Sequence, residues 1–367
     1  MENRKKFTFD VARFTSLIGL VALLIVSSFL SSAFLNPVNV LNVLRQVVPN
    51  GIAACGVTLI IISGGIDLSI GSVFALSGVS AALLIPNMPW PIAILLIMIG
   101  GFGIGTLHGL LITKLNVPPF IVTLAGLTVY RGAAMAVTGA ANLPVTDKSF
   151  STALGSGTVP AKVVMIILCF CALGVLSVFT RMIKKQRMGK TKAAVILVLS
   201  LVGLTYLAFL VSSVGSLSIQ IIIYMAVLIL TLFLLNKTVL GRHIYAVGGS
   251  YLSTKMAGIK ADNVLIKTYA FGSFCAVLSG VLITAKLQSG MPSAGVNGEL
   301  DAIASAVIGG ASLSGGYGKL TGTIIGVLLI GVLNNMLSLL NISSDLQSIF
   351  KGLIILGAVI IDMKFKK

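Results

Sequence analysis

The stretch "TLIIISGGIDLSIGSVFAL", residues 58–76, places an aspartate in the middle of an apolar run, two positions after a pair of glycines. This residue, Asp67, is the only acid between Asp10 and Asp147. An unpaired charge inside the hydrocarbon of a bilayer costs at least about 2.5–3.5 kcal/mol. The stretch is therefore one flawed membrane span, two helices that meet at a break, or a loop between soluble strands.

The composition of the whole chain excludes the soluble alternative. Of its 367 residues 57% are hydrophobic and only 10% are charged, and the mean hydropathy is +1.08. A soluble domain has about a quarter of its residues charged. Apolar runs of roughly 15 to 23 residues recur along the chain, which is the length that crosses a bilayer. The sequence therefore predicts an all-α polytopic membrane protein.

The net charge of +17 does not indicate a nucleic-acid-binding protein. Lys and Arg gather in short clusters between apolar runs, as "NRKK" near the start, "RMIKKQRMGKTK" at 181–192 and "KFKK" at the end. Such clusters are typical of cytoplasmic loops of membrane proteins. No segment between the runs is long enough for a soluble domain with a basic groove. The expected partner of these charges is lipid.

Apolar runs separated by short polar segments predict about 12 spans, with both termini cytoplasmic. The predicted spans are 14–35, 47–63, 68–85, 91–113, 120–138, 162–180, 193–213, 217–235, 264–285, 301–316, 319–340 and 346–363. The long polar segment 236–263 then lies on the cytoplasmic side. This scheme requires the short, glycine-rich segment 301–316 to cross as an irregular or broken span, surrounded by protein rather than lipid.

The opening stretch is best explained as two helices that meet at a turn. Gly64 and Gly65 are suited to ending one helix. Asp67 or Ser69 then caps the next helix by accepting from its free backbone N–H groups. The turn is either a hinge or pathway-lining break, or an ordinary capped turn between two spans, and the two interpretations are compatible.

Four further polar residues fall in or beside spans. Glu299 and Asp301 start the segment 301–316 and are expected to cap its N-terminus, where the helix dipole favours carboxylates. A metal or catalytic carboxylate pair is the alternative, but no His, Cys or third acid accompanies them. Asn334 and Asn335 lie within an apolar run, where interhelical hydrogen bonds are favoured over contact with a polar solute in a pathway.

Glycines four residues apart mark one helix face in "GGFGIGTLHGLL" at 100–111. Gly101, Gly105 and Gly109 predict close packing against a neighbouring helix, because small residues let two backbones approach. The spacing does not match a dinucleotide-binding loop. His108 in the same helix is expected to be a packing or interfacial residue rather than a proton relay.

No catalytic, metal or nucleotide site is predicted. The four cysteines are expected to be small buried apolar residues without metal-binding spacing: Cys55, Cys169, Cys171 and Cys275. "QRMGKT" and "GGYGKLTG" only partly match a phosphate-binding loop, because one lacks the leading glycine and the other has Leu320 after the lysine. A transporter of this kind therefore needs an external motor or an ion gradient.

Several long motifs in register resemble one family. "LRQVVPNGIAACGVTLIIISGGIDLSIGS", "VPPFIVTLAGLTVYRG", "LGRHIYAVGGS" and "ELDAIASAVIGGASLSGGYGKLTGTIIGVLLIGVLNNML" occur in the order found in membrane permeases of bacterial ABC importers for monosaccharides, the ribose/xylose class. The resemblance implies one permease domain over 1–367 in the bacterial inner membrane. It also implies a second permease copy, an ABC ATPase subunit that carries ATP and Mg²⁺, and an extracytoplasmic sugar-binding protein, with no cofactor on this chain.

The resemblance also implies roles for particular residues. A cytoplasmic loop of such permeases docks on the ATPase, and the matching stretch here is 241–259. Its candidate coupling residues are Gly241, Arg242, Gly248, Gly249, Lys255 and Gly258. The usual "EAA" run is replaced, with Tyr251 or Leu252 in place of the acid, so the charged contact to the ATPase is open. Phe120, in "PPFIVTL", is a candidate for lining the pathway together with the two asparagines.

Within the family the chain looks closest to the xylose and multiple-monosaccharide branch. It divides into the first six spans over 14–180, an extra span pair with its basic loop over 181–235, the coupling segment 236–263, and the last spans over 264–367. Permeases for nucleosides or other small solutes are an alternative within the class. Outside it the alternatives are an ion-coupled secondary transporter and, with least support, a membrane enzyme.

Overall fold

A computed structural model describes residues 11–184 and 190–365. The first part contains α1 Val11–Leu30, α2 Pro37–Gln46, α3 Val48–Ile62, α4 Ile70–Leu84, α5 Trp90–Lys114, α6 Pro119–Thr138, β1 Leu143–Pro144, α7 Lys148–Phe150, β2 Thr158–Pro160 and α8 Ala161–Lys184. The second part contains α9 Lys190–Val214, β3 Ser216–Ser218, α10 Ile219–Lys237, α11 Val239–Gly249, α12 Tyr251–Met256, α13 Ala261–Leu287, β4 Ser289–Gly290, α14 Gly298–Ile308, α15 Leu320–Leu339 and α16 Ser344–Phe365. A 3₁₀ turn, Ile85–Asn87, extends α4, and a π turn, Ser151–Ser156, extends α7.

Prolines and glycines set several helix boundaries. Proline lies in the first two positions of α2, α3, α5 and α6, where its missing N–H costs nothing and its fixed φ suits a helix. The last turn of α6 ends at Gly139, whose φ of 60° is left-handed, as is common at helix C-termini.

The prediction of an all-α polytopic membrane protein is confirmed. The described residues contain six helices long and apolar enough to cross a membrane, and a seventh if α2 and α3, bent by 41° at their junction, form one span. Shorter apolar stretches lie within α1, α8 and α9. Helix length alone therefore supports fewer spans than the twelve expected. The basic clusters at the N-terminus, at 181–192 and at the C-terminus lie wholly or partly outside the described residues.

The long helix α13 packs against α3, α4 and α5. The close packing expected of the three spaced glycines is confirmed, because each lies against α13. A Cβ on Gly101 would meet Val277, one on Gly105 the backbone of α13, and one on Gly109 the backbone of Ile266. The glycines thus let α5 and α13 approach backbone to backbone.

Two short helices, α4 and α14, begin beside each other. Gly298, the first residue of α14, lies against Phe74 in the first turns of α4. From there α4 runs toward the C-terminal end of α13, where Gly78 contacts Thr284. The chain after α14 instead returns to the end of α3, where the Gly316 N–H donates to the Ile62 carbonyl oxygen at 2.8 Å.

The segment 301–316, expected to cross as an irregular or broken span, is only partly helical. Its helical part, α14, has 11 residues and is about 16 Å long at 1.5 Å per residue, roughly half of a bilayer's hydrocarbon thickness. Glycines 309 and 310 follow the helix, and Gly310 has a φ of +87°. The remainder of the segment is a turn that packs against the end of α3.

Two pairs of short antiparallel strands connect the loops. In the first pair Leu143 and Pro144 face Gly290 and Ser289. In the second, strand β2 pairs with strand β3. The first pairing fixes the connection after α6 to the C-terminal end of α13, from which the chain descends toward α14.

The prediction that all four cysteines are buried is wrong for two of them. Cys55 and Cys275 are buried, whereas Cys169 and Cys171 are exposed. Both exposed cysteines lie on α8, which packs mainly against α9. One face of α8 is therefore left uncovered in this chain.

Candidate functional site

Five glycines bring three segments of the chain into backbone contact. We call them the glycine junction: Gly64, Gly248, Gly249, Gly315 and Gly316. A Cβ on Gly248 would overlap the Ile62 carbonyl oxygen, and one on Gly315 would lie 2.7 Å from the Gly248 oxygen and 2.9 Å from the Gly64 Cα. The end of α3, the end of α11 and the loop after α14 therefore meet with no room for a side chain at Gly248, Gly315 or Gly316, whereas a Cβ on Gly249 would meet no other segment.

Backbone conformation adds a second reason for glycine at this junction. Gly64 has a φ of +85°, Gly315 of +80° and Gly316 of +72°. A side chain at φ values in this left-handed range is strained, and glycine is not. Sequence reasoning placed Gly64 in a helix break and Gly248 in a coupling loop, and the structure brings the two into contact.

The segment 236–263 forms two short helices, α11 and α12, stabilised by serine and threonine caps. The Thr238 hydroxyl accepts from the Gly241 N–H at 3.2 Å, and the Ser250 hydroxyl accepts from the Ser253 N–H at 3.2 Å. Gly258 follows α12 with a φ of +81°. These caps satisfy helix N-termini that would otherwise need water.

The candidate cations Arg242 and Lys255 are both exposed. The end of the segment is attached to α5 and α13, because the Tyr251 hydroxyl donates to the Asp262 carboxylate, which Lys114 contacts at 2.8 Å. The hydrogen bond to Asp262 raises the pKa of the Tyr251 hydroxyl above its ordinary value.

Helix α12 presents two exposed apolar side chains. Leu252 is 67% exposed and Met256 is 81% exposed. Residues four apart lie on one helix face, so the two side chains form one apolar surface at the tip of the segment. Sequence reasoning sought a charged contact here and did not identify this pair.

A cavity of about 340 Å³ lies between the glycine junction and the start of α12. Its lining includes Gly64, Gly248 and Gly249 as well as Tyr251 and Tyr269. The junction is therefore in contact on one side and open on the other, which leaves space for the segments to shift relative to each other.

The break between α3 and α4 is held by Asp67, which is 1% exposed. Its Oδ1 accepts from the Ser69 N–H at 2.8 Å and from the Ser69 hydroxyl at 2.6 Å. Ser69 occupies the N-cap position, but its side chain makes no cap hydrogen bond. The expectation that one of the two caps the first turn of α4 needs correction: the carboxylate instead orders the turn that leads into the helix.

Buried polar groups surround this turn. The His108 side chain, 1% exposed, pairs through Nε2 with the Tyr130 hydroxyl at 2.9 Å. The Tyr269 hydroxyl donates to the Ile66 carbonyl oxygen at 3.2 Å. Within the described residues, neither Asp67 Oδ2 nor His108 Nδ1 has a hydrogen-bond partner. The cluster joins the break to α5, α6 and α13.

Arg131, in the motif "VYRG", binds the irregular segment that leads into α14, which is a second break in the helical structure. This residue was not identified from the sequence. Its Nη1 donates to the Pro292 carbonyl oxygen at 2.7 Å and to the Ala294 carbonyl oxygen at 2.6 Å. These carbonyls belong to the segment that descends to α14. The signal available was a lone arginine inside an otherwise apolar span, which normally has a specific partner.

Glu299 and Asp301 lie at the N-terminal end of α14, where the helix dipole favours carboxylates, but neither occupies the N-cap position. Asn297 occupies the N-cap of α14, and the two acids lie in the first turn. Glu299 is buried against Gly71 at the start of α4. Asp301 pairs with Lys351 of α16 at 3.0 Å. The carboxylates therefore connect α14 to other helices.

The two asparagines of α15 differ in their surroundings. Asn335 and Asn39 exchange reciprocal amide hydrogen bonds, each 3.0 Å, so Asn335 makes the interhelical contact. Asn334 lines a cavity, and no partner for its Oδ1 is found in the described parts of the chain. Phe120 is 51% exposed on α6 and does not line this cavity.

We call this second space the polar cavity. It has a volume of about 250 Å³, and its side-chain hydrogen-bonding groups come from Gln46, Asn50, Asp301 and Asn334. Phe74 and the first residues of α14 complete its wall. Among the described residues no group of three or more His, Cys, Asp or Glu side chains that could hold a metal ion is found.

Comparisons with known proteins agree with this arrangement. The ribose import permease protein RbsC of Bacillus subtilis is 36% identical over 98% of this chain and 96% of its own length. The corresponding permease of Haemophilus influenzae is 33% identical over 99% and 98%. The xylose transport system permease protein XylH of Haemophilus influenzae is 34% identical over 95% and 96%. No solved structure matches the chain.

The relatives named for ribose and for xylose differ by only a few points of identity. The resemblance to ribose- and xylose-class permeases is confirmed over nearly the whole chain. A family model described as "branched-chain amino acid transport system / permease component" matches residues 39–359. The chain belongs to this family of transport-system permeases.

Proposed function

We propose that this chain is the membrane-spanning permease of an ABC importer for a monosaccharide of the ribose or xylose type. Permeases named for these two sugars match it over nearly their full length. The family description names branched-chain amino acids, so an amino acid is the competing substrate class. A nucleoside or another small solute is a second alternative. The full-length relatives favour the sugar.

Such a permease works with separate partner proteins in the bacterial inner membrane. An ABC ATPase subunit binds ATP and Mg²⁺ and supplies the energy. An extracytoplasmic sugar-binding protein delivers the substrate, and a second permease copy, identical or related, completes the pathway. The chain itself needs no catalytic residue and no cofactor, because its task is to change shape around the substrate.

The proposed topology keeps both termini and the segment 236–263 on the cytoplasmic side. Twelve passages result when α2 and α3 are counted as one span and α14 is counted together with the irregular chain on either side of it. The segment 291–318 then crosses as a series of turns, the short helix α14 and a further turn. Irregular backbone at this depth requires burial in protein, and the contacts of this segment with Arg131, Gly71 and Gly248 support that burial.

Helices α11 and α12 are proposed as the contact to the ATPase. The exposed apolar pair Leu252 and Met256 gives this contact a hydrophobic anchor in place of the missing acid. A few residues in the desolvated centre of an interface contribute most of its binding energy. The exposed Arg242 and Lys255 then lie at the rim, where charges affect mainly association rate and orientation.

The glycine junction is the observation that carries the coupling mechanism. The end of α11 contacts both the turn that follows α3 and the loop after α14. A movement of α11, driven by ATPase closure, therefore reaches both short helices without an intervening flexible side chain. Because the two helices begin beside each other, they shift together and switch the pathway between outward- and inward-open states.

Ion-coupled secondary transport is the competing mechanism. Helices broken within the membrane are common in such transporters, and two are present here. The exposed anchor on α12 and the contact of α11 with both breaks favour a cytoplasmic motor instead. The two mechanisms differ in what stops transport, since one depends on ATP and the other on an ion gradient.

Reconstitution of the complete importer tests the proposal. The chain, its co-purifying ATPase and the binding protein are assembled in proteoliposomes, and uptake of labelled ribose, xylose and leucine is measured. We expect sugar uptake that requires both ATP and the binding protein and survives collapse of ion gradients. Uptake of leucine in preference to sugar, or uptake that ignores ATP and follows an ion gradient, contradicts the proposal.

A further inference from the structure

The polar cavity has the size of a single sugar ring. Its volume is about 250 Å³, which corresponds to about eight water molecules at ~30 Å³ each. A pentose or hexose has ten to twelve non-hydrogen atoms and fits a space of this order. The cavity lies between α3, α4, α14 and α15, and so at the meeting point of the two short helices.

Two amide oxygens on the cavity wall are buried and unsatisfied. The Asn50 Nδ2 donates to the Ser305 hydroxyl at 3.1 Å, which fixes the amide and turns its Oδ1 elsewhere. Neither this Oδ1 nor that of Asn334 has a partner among residues 11–184 and 190–365. Buried polar atoms are normally hydrogen-bonded. Two lining residues, each with a buried amide oxygen that lacks a partner, therefore point to a ligand that donates hydrogen bonds once these side chains turn toward it.

The remaining wall suits the other chemistry of a sugar. The Asp301 carboxylate is held in place by Lys351 at 3.0 Å, and Gln46 adds an amide that both donates and accepts. Phe74 and Ile283 supply an apolar surface for the C–H groups of a ring. A few fixed polar groups on an apolar wall are typical of small-molecule sites.

The same wall is poorly suited to an amino acid. None of the residues that line the cavity is Lys, Arg or His, so the carboxylate of an amino acid would have no cation to pair with. Lys351, which contacts the lining residue Asp301, is already paired with it. A neutral solute with several hydroxyl groups matches the cavity better than a zwitterion.

We propose that the polar cavity is a monosaccharide subsite within the permease, in which Asn50, Asp301 and Asn334 bind sugar hydroxyls and Phe74 contacts the C–H face of the ring. This subsite rests on the proposed function. Because its wall includes the first turns of α4 and α14, a shift of these helices changes the cavity. The permease would then take part in selecting its substrate, beyond the selection made by the binding protein.

The test uses the complete importer in proteoliposomes with saturating, sugar-loaded binding protein, and measures sugar transported per ATP hydrolysed. Asn334→Leu removes the amide, and Asn334→Asp keeps an acceptor. Asn42→Leu, at an exposed position of α2 outside the cavity lining, is the matched control. Monodisperse behaviour and unchanged ATPase stimulation by the binding protein exclude misfolding.

We expect Asn334→Leu to transport about tenfold less sugar per ATP, as for the loss of one or two hydrogen bonds, with Asn334→Asp retaining most transport. A deoxy sugar that lacks the hydroxyl bound by Asn334 should be transported poorly by the wild type and be insensitive to Asn334→Leu. Equal transport of all sugars by wild type and Asn334→Leu overturns the subsite alone. A wild-type importer without ATP-dependent sugar uptake overturns the proposed function, and the subsite with it.

Discussion

The glycine junction and the polar cavity lie at the two ends of α14, and they are built on opposite principles. At the junction, backbones touch because no side chain intervenes. At the cavity, residues with amide and carboxylate side chains line an open space. In the proposed mechanism the first arrangement transmits a movement and the second binds a sugar. One short helix can therefore serve both tasks, because different residues lie at its two ends.

The largest expected effect comes from adding one methyl group to the junction. A Cβ in Gly248→Ala would overlap the Ile62 carbonyl oxygen and lie 2.5 Å from the Gly316 N. Overpacking of this kind typically costs about 1–3 kcal/mol, and here it must separate α11 from both breaks. We expect ATP-dependent uptake in proteoliposomes to fall to background.

The neighbouring Gly249→Ala is the matched control. No atom of the described chain lies within 4 Å of a Cβ at this position, so uptake should stay within about twofold of wild type, as for a surface substitution. Normal uptake by Gly248→Ala would contradict direct contact at the junction. Equal loss in both variants would indicate a general role of this turn rather than of backbone contact.

The next largest effect is expected at the far side of the coupling segment. Leu252→Asp with Met256→Asp places two charges on the exposed apolar surface of α12. Desolvating these charges at the interface should weaken binding of the ATPase by at least about tenfold, because burial of an unpaired charge is costly. Co-purification of the ATPase and uptake measure the effect together.

The control for this pair keeps the surface apolar, as Leu252→Met with Met256→Leu. Swaps of similar volume are usually tolerated, so binding should be retained. Full ATPase binding by the doubly charged variant would place the contact elsewhere on α11 and α12, with Arg242 the first position to examine.

A smaller effect on uptake is expected from substitutions of Asp67, whose carboxylate orders the turn before α4. Asp67→Asn keeps an oxygen that accepts from Ser69, whereas Asp67→Leu leaves the Ser69 N–H and hydroxyl without it. Unsatisfied buried donors cost about 1–3 kcal/mol each. We expect uptake to be largely preserved in Asp67→Asn and reduced several-fold in Asp67→Leu. If uptake fell equally in both variants, the negative charge of Asp67 would be required, through its interaction with His108 or Tyr130.

The sequence predicted the parts of the molecule that depend on local chemistry. Apolar runs identified the membrane class, glycine spacing predicted close packing of α5 against a neighbouring helix, and the glycine pair before Asp67 marked a break. It did not show that Gly64 and Gly248 touch, because their contact joins positions far apart in the chain. The pairing of Asp301 with Lys351 was missed for the same reason, and composition there suggested a cap.

The smallest expected effect concerns the amide pair beside the polar cavity. Asn335 and Asn39 satisfy each other with two hydrogen bonds of 3.0 Å. Replacing one by Leu leaves a buried amide unpaired, at about 1–3 kcal/mol, whereas replacing both removes the unpaired group and can be nearly neutral. We therefore expect each single variant to lower the Tm of the detergent-solubilised chain by a few degrees, and the double variant Asn39→Leu/Asn335→Leu to recover most of that loss. Additive losses in the double variant would show that the two amides act independently, and a loss of sugar selectivity in Asn335→Leu would mean that the recognition surface extends beyond Asn334 to its neighbour.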